Sequence, residues 1–447
     1  MADLRDDARA APPDAVASPQ EQDAATRSSY RLERDATYLT WLASDTATGT
    51  ASALGAFAIP LIAIAVTGSA AQAGVISGVS MAARLIATLV GGVIADRRNR
   101  FGLMVVGALV GVVVGLAFTL LGRSGGLSFT ALLVLSVLLA LRRGVFDPGG
   151  EAAIKQVVPA EALGRAMAAN QARDAAVNLA GGPIGGALLG VGGWLVGLGI
   201  ALGHGVAFLA ATVLRRRVPV AAQLPAKRDP EGQPPSLFAD ARSGMSWLFR
   251  RPDLRGTLLI GTVVNLGFNL GVTAIIYSLQ LQGYSPLSIG WLTAIVSGAM
   301  FVAALLSPLL VTRVGAGVLA LYGLLLCAAG IVAVGFVQSF VGTAALLAGS
   351  VVLVPALNAG LMGYMVLATP SDLLGRVTSA GQVLGMGAMP LAPVLAGFGL
   401  ALVGRPATLL LAGALCFIAV VLVLLTPSIR ALPKESEWRV HAAKFGS

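Results

Sequence analysis

Arg100-Phe101-Gly102-Leu103-Met104-Val105-Val106-Gly107-Ala108-Leu109-Val110-Gly111-Val112-Val113-Val114-Gly115-Leu116-Ala117-Phe118-Thr119-Leu120-Leu121-Gly122-Arg123 is the stretch whose reading sets the architecture. No charge falls between its two arginines. As a helix the uncharged part between them is roughly 33 Å long, enough to cross a hydrocarbon core about 30 Å thick. Similar apolar runs recur from Tyr38 to Leu425, in a chain of 447 residues that is 56% hydrophobic and only 12% charged. So little polar surface fits lipid as the solvent, not water. The runs are long and rich in Ala, Leu, Val and Gly, which favours helices over the short alternating strands of a barrel.

Twelve spans are expected, at 39–66, 71–95, 101–122, 128–154, 163–190, 193–214, 256–279, 286–311, 315–336, 340–367, 374–402 and 406–426. Alternation then sorts the loops by side. One set carries Arg97, Arg98, Arg100, Lys155, Arg165, the run Arg215 to Arg217, Lys227, Arg228, Arg242, Arg250, Arg251, Arg255, Arg313 and Arg376, and the other carries only Arg123 and Arg405. The positive-inside rule makes the first set and both termini cytoplasmic, in a multi-pass protein of the cell (inner or plasma) membrane. The fold class expected is all-α, twelve transmembrane helices in two six-helix bundles. A polar tail (1–36, read as disordered) precedes the first bundle (37–214). A charged, Pro-rich linker (215–255) divides the spans six and six, and the second bundle (256–427) is followed by a cytoplasmic tail (428–447). Pro159, Glu161, Leu163, Gly164, Arg165 and Gln171 recur at one constant offset as Pro370, Asp372, Leu374, Gly375, Arg376 and Gln382. This suits a duplicated six-helix unit, and two similar helix starts would give the same string.

Several function classes are disfavoured. The four lysines do not follow glycine, so no phosphate-cradling G-x-x-x-x-G-K-[ST] loop exists. Cys327 and Cys416 sit apart in apolar segments, and His204 and His441 are too few and too separated for a metal site or a nucleophile-and-base cluster. No metal, no cofactor and no enzymatic activity are expected, and His204 reads as a packed residue. The net charge of +10 is concentrated in short loops, so it reports orientation and not nucleic-acid binding. The partners expected are a small-molecule substrate, protons and the bilayer, with the chain a monomer.

Gly92-Val93-Ile94-Ala95-Asp96-Arg97-Arg98-Asn99-Arg100 resembles the signature loop G-x-x-x-D-R-x-G-R of the major facilitator superfamily, with Asn99 in place of a glycine. Asn also enters left-handed turns, which makes the change tolerable. Trp41-Leu42 through Pro60, Phe146-Asp147-Pro148 through Pro159 and Leu248-Phe249-Arg250-Arg251-Pro252 resemble the drug:proton antiporter branch that includes macrolide efflux and enterobactin export proteins. There are departures: Asp45 stands where that branch has an amide, Ser52 where it has an aspartate, and the second half keeps only Thr312-Arg313 of the loop. Gly181-Gly182-Pro183-Ile184-Gly185-Gly186 is similar to an antiporter signature, and close packing around small residues explains it equally. The resemblance implies proton-coupled efflux of a drug, antibiotic or siderophore-like molecule, as in multidrug resistance. Uptake or lipid flipping on the same fold, or a receptor or helper that transports nothing, are the alternatives.

Charges inside spans cost at least about 2.5 kcal/mol each at the bilayer centre and persist where paired or wet. Asp45, Arg84, Arg142, Arg143, Asp147, Glu151, Arg173 and Asp174 are such residues, all in the first half. The second half offers only neutral polar groups, Asn265, Asn269, Tyr277, Asn358, Tyr364 and Gln382, so one wall of the cavity is expected to be charged and the other largely apolar, which suits an amphipathic or hydrophobic cargo. Asp45 is the favoured proton carrier, with Asp174 second; a helix cap or a partner for an arginine is the plainer role for Asp45. Gly92, Asp96, Arg97, Arg100, Asp147, Glu151 and Arg165 are the expected gating residues, with charge-assisted pairs between the Asp96-Arg97 end of the second span and Asp147 and Glu151 on the fourth holding the cytoplasmic side shut. Equal distances from a turn at Val158 suggest two rungs between neighbouring spans, Arg142 or Arg143 with Asp174 and Glu151 with Arg165.

Overall fold

The computed structural model describes residues 31–219, 245–370 and 373–444, without the side chains of Pro252, Arg376, Ser379, Ala380, Gln382 and Val383. Nearly all of the 1–36 tail and most of the 215–255 linker lie outside the described residues. Regular structure among the described residues is helical. The first bundle comprises α1 (Ala36–Thr67), α2 (Ala70–Arg97), α3 (Arg100–Arg123), α4 (Phe129–Val157), α5 (Leu163–Val191) and α6 (Gly193–Arg217). The second comprises α7 (Pro252–Leu281), α8 (Pro286–Arg313), α9 (Ala316–Val334), α10 (Phe340–Ser350), α11 (Val354–Ala368), α12 (Leu374–Gly387), α13 (Leu391–Leu402) and α14 (Gly404–Leu425). A last helix, α15 (Trp438–Ala443), packs on α11.

The starts of many helices follow from capping chemistry, in which a side-chain oxygen accepts from a backbone N–H that the helix leaves unpaired. Asp35 accepts from Thr37 and Tyr38, and Ser69, Asn99, Ser128, Ser285 and Ser339 do the same for α2, α3, α4, α8 and α10. Two of the expected spans are broken. Pro355 cannot donate to the carbonyl of Val351, which accepts from Val354 N instead (3.1 Å), and α10 gives way to α11. Pro390 likewise cannot reach Met386, whose carbonyl accepts from Met389 N (3.0 Å), and α12 gives way to α13. Eleven helical stretches among the described residues are long and apolar enough to cross a membrane. The 29-residue α5 is not among them, and it carries Arg165, Arg173 and Asp174.

Within the first bundle α4 lies against α2 and α3, while α5 lies against α1. Glycines allow the closest of these approaches. A Cβ on Gly144 of α4 would stand 2.7 Å from the Arg84 carbonyl of α2, and Gly91 of α2 faces the carbonyls of Gly144 and Val145. The close contacts between bundles lie on the side away from the termini. There Gly74 and Gly78 of α2 meet Pro393 and Pro390, and Gly182 and Gly186 of α5 meet Gly290 and Pro286 of α8. Ser77 and Tyr277 close the same side through a 2.9 Å hydroxyl pair between α2 and α7. Toward the side of the termini Arg84, Glu151, Asp174 and Asn178 are exposed, so the cleft between the bundles opens there.

Candidate functional site

The charged residues of the first bundle gather on its inner face in two layers. In the lower layer Arg173 of α5 donates to Asp45 of α1 and, at 2.7 Å, to its own neighbour Asp174. Asp45 and Arg173 are largely shielded, whereas the Asp174 side chain is 58% exposed. One guanidinium therefore ties α1 to α5 and keeps a second carboxylate in reserve. In the upper layer Arg142, buried on α4, donates to Asp147 at 2.7 Å and approaches His204 Nδ1 of α6 at 3.4 Å. Arginine stays protonated, so His204 Nδ1 accepts and the ring is neutral with its proton on Nε2. Gly111 of α3 makes room for that ring, since a Cβ there would strike it. Arg143 reaches the other Asp147 oxygen at 3.6 Å, one helical turn away. α1 is held between these layers by Trp41, whose Nε1 donates to the Gly150 carbonyl (3.0 Å), and by Ser44, which donates to the Ala207 carbonyl (3.1 Å).

Above the ion pairs is a cavity of about 290 Å³ bounded by α1, α2, α4 and α6. Its walls are mostly apolar, and Arg84, Arg142, Arg143 and His204 supply the polar part together with four serines.

This geometry corrects several expectations. The rungs between the fourth and fifth spans do not form. α4 and α5 follow each other in the chain but do not pack side by side, because α1 stands between them, so equal depth brings nothing together. Asp174 pairs with Arg173, Arg142 and Arg143 pair with Asp147, and Glu151 is exposed with Asp147, Asp45, Asp174 and Arg84 as its charged surroundings. Arg165 is also exposed, on the first turn of α5. The signature loop is not a salt-bridge gate in this conformation. Asp96 and Arg97 are exposed, and Asp147 is taken by α4's own arginines. Gly92 meets nothing, and Gly91 one residue earlier is the point of close approach to α4. Arg100 instead donates to the Ala152 carbonyl (3.1 Å), fastening the loop to α4. Asn99 is extended (φ −61°), not left-handed, and acts as the cap of α3.

The polar groups of the second half are dispersed. Asn265 donates to the Gly385 carbonyl of α12 at 3.3 Å, Asn269 to the Asn265 carbonyl at 2.8 Å, and Asn358 is exposed. Tyr277 belongs to the closure on the far side, and the Gln382 side chain lies outside the described residues. Sequence reasoning missed a buried cluster at the start of α7. Asp253, whose side chain is fully buried, accepts two bonds from Arg251 (2.9 and 2.7 Å) and one from the Tyr364 hydroxyl (2.7 Å). Tyr364 packs in turn on Trp438 and His441 of α15 and is not a cavity residue. An acid two residues after Arg251 was the available signal, hidden by its place among loop arginines. Cys327 and Cys416, read as isolated, meet between α9 and α14 as buried free thiols.

Two helical bundles that close on one side around small residues and hold ion pairs facing the open side define a transporter fold. The chain belongs to the Major Facilitator Superfamily, whose profile matches residues 46–389. It is similar in structure to a bacterial homologue of the iron transporter ferroportin in an inward-facing state, with 15% identity, 89% of this chain and 99% of that chain covered, and a TM-score of 0.67. It is also similar to a POT family transporter in complex with 5-aminolevulinic acid (12% identity, 88% and 96% covered, TM-score 0.66). A third likeness is to a bacterial homologue of the human lysosomal transporter Spinster, inward-facing and unoccupied (16% identity, 92% and 96% covered, TM-score 0.59). These likenesses establish the fold. No curated protein sequence matches the chain.

Proposed function

We propose that the chain is a secondary transporter that crosses the cell membrane twelve times, with α5 as the fifth crossing, and exports a small amphipathic molecule in exchange for protons by alternating access. The basic residues gathered on the side of the termini support placing that side in the cytoplasm, which makes the open cleft inward-facing. The carrying observation is the ion pair of Asp45 with Arg173, in a chain whose two bundles touch on the opposite side. A proton on Asp45 removes one of the two carboxylates that hold Arg173, and α1 is released from α5. The same α5 presses Gly182 and Gly186 onto α8 toward its other end, so Arg173 and the closure lie on one helix. In the inward-facing state the pair is formed, which is the state after the proton has left toward the cytoplasm. Cargo then binds from the same side.

The test uses proteoliposomes with a trapped pH-sensitive dye and a panel of amphipathic compounds. The parent protein should couple an imposed proton gradient to movement of at least one compound, and Asp45→Asn should exchange cargo without responding to the gradient. Gradient-driven transport by Asp45→Asn with the parent's pH dependence overturns the assignment.

A further inference from the structure

The cavity between α1, α2, α4 and α6 carries a surplus of positive charge that the coupling mechanism leaves unused. Arg142 is committed to Asp147 and His204. Arg143 gives Asp147 only a 3.6 Å contact, and Arg84 has no carboxylate within salt-bridge distance among the described residues. Arg84 is exposed toward the cleft, and its charged surroundings are Arg143, Asp147 and Glu151. The three guanidinium groups of this cavity thus outnumber the two carboxylates nearest them, Asp147 and Glu151, while in the other layer Arg173 faces two, Asp45 and Asp174.

A second observation is independent of charge. Ser136 of α4 is only 6% exposed and lines this cavity, yet its hydroxyl oxygen has no hydrogen-bond partner. Ser80 of α2 lines it too, with its hydroxyl equally unpartnered. Serines on helices commonly return their hydroxyl to a backbone carbonyl one turn earlier, as Ser307 does here, so two that do not, in one cavity, mark unmet hydrogen-bonding capacity. Buried, unpartnered hydroxyls lining the same cavity as Arg84 and Arg143 are a donor set suited to an anion. The rest of the wall, including Ile59, Ile76, Met81 and Leu139, is apolar. A volume of about 290 Å³ lies at the low end for small-molecule sites, too small for a two-chained lipid.

We propose that this cavity is the cargo site and that it selects an amphipathic monoanion, an organic acid whose carboxylate lies between Arg84, Arg143 and the Ser80 and Ser136 hydroxyls while its apolar body fills the remainder. The proposal deepens the transport reading and rests on it only for the word cargo, since the site itself is tested by binding. Asp45 and Arg173 take no part in holding the acid, so proton coupling and cargo selection are separate devices on one bundle.

Binding is measured on the purified full chain in nanodiscs of zwitterionic lipid, with three probes of one shape: 4-phenylbutyrate, 4-phenylbutanol and 4-phenylbutylamine. The acid should bind at least tenfold more tightly than the alcohol and the amine not at all. Arg84→Gln should weaken the acid tenfold or more and leave the alcohol unchanged, while Arg84→Lys should restore most of the difference. Ser136→Ala removes a hydroxyl that bonds to nothing in the empty protein, so its thermal midpoint should hold or rise while acid affinity falls several-fold. A structural serine would show the reverse, a lower midpoint and unchanged affinity, and that result overturns the proposal. Equal binding of the three probes also overturns it. So does loss of acid binding when the nanodisc lipid is made anionic, because a lipid headgroup is then the occupant. If the acid binds as expected but Asp45→Asn transports with parental pH dependence, the coupling assignment fails and the cargo site stands.

Discussion

The two bundles share a fold and differ in what they keep inside. The first holds ion pairs on its inner face, each linking one helix to another or to a neighbouring turn: Asp45 with Arg173, and Asp147 with Arg142 and Arg143. The second is mostly apolar, and among the described residues its buried ion pair is Arg251 with Asp253, bonded by the Tyr364 hydroxyl of α11, at the start of α7. A charge cluster at the end of a helix, sealed by α15, fixes a position. Pairs that reach a water-filled cleft can exchange partners when a proton or an anion arrives. The difference teaches that two bundles of one fold need not share chemistry, and that one half can carry the ions while the other supplies an apolar counter-surface.

If that division holds, the largest stability loss should come from the second bundle. Asp253→Ala leaves Arg251 and the Tyr364 hydroxyl without their acceptor in a buried site, which should cost about 3–5 kcal/mol and be visible as a sharp fall in thermal midpoint and yield. A midpoint near the parent's would mean that the cluster fixes nothing.

Next in size is the coupling between Arg142 and Asp147. A cycle of Arg142→Gln, Asp147→Asn and the double variant should return an interaction of about 1–3 kcal/mol. Asp174→Ala in the same assay should change little, because that side chain is mostly exposed and Arg173 retains Asp45. A large loss at Asp174 with additive effects at Arg142 and Asp147 would reverse the assignment of partners.

A smaller effect, conformational in kind, is expected where the bundles touch. Gly186→Val places a side chain against the Pro286 backbone with no space for it, and Gly78→Val does so against Pro390. Either should shift the population away from the closed far side by about tenfold, roughly 1.4 kcal/mol, with transport slowed while helix content is kept. Distances between spin labels on Ser124 and Gln282 would report the change, and unaltered distances would remove small-residue contact as the basis of closure.

Least is expected from the signature loop itself. Asp96→Asn should leave the thermal midpoint within about 2 °C of the parent, since Asp96 is exposed and makes no ion pair among the described residues. Arg100→Gln should do more, because it releases the loop from the Ala152 carbonyl.

The sequence alone determined the solvent, the helices and the family. Runs such as 101–122 leave a backbone in lipid no other way to satisfy its hydrogen bonds, and the Asp96-Arg97 loop carries a recognisable string. It also marked the residues that hold charge inside the first half, since a charge in an apolar run is conspicuous without any coordinates. Partners were another matter. Depth along a hairpin is legible from counting, but which helices are neighbours depends on how the bundle packs, and α1 enters between α4 and α5 from far away in the chain. That single packing fact moved Asp174 from Arg142 to Arg173 and gave Asp147 both arginines of α4. The buried place of Asp253, the room Gly111 leaves for His204 and the unpartnered hydroxyls of Ser80 and Ser136 are likewise properties of surfaces brought together. Charge can be read residue by residue, whereas compensation of charge is a relation between residues, and only the tertiary structure decides it.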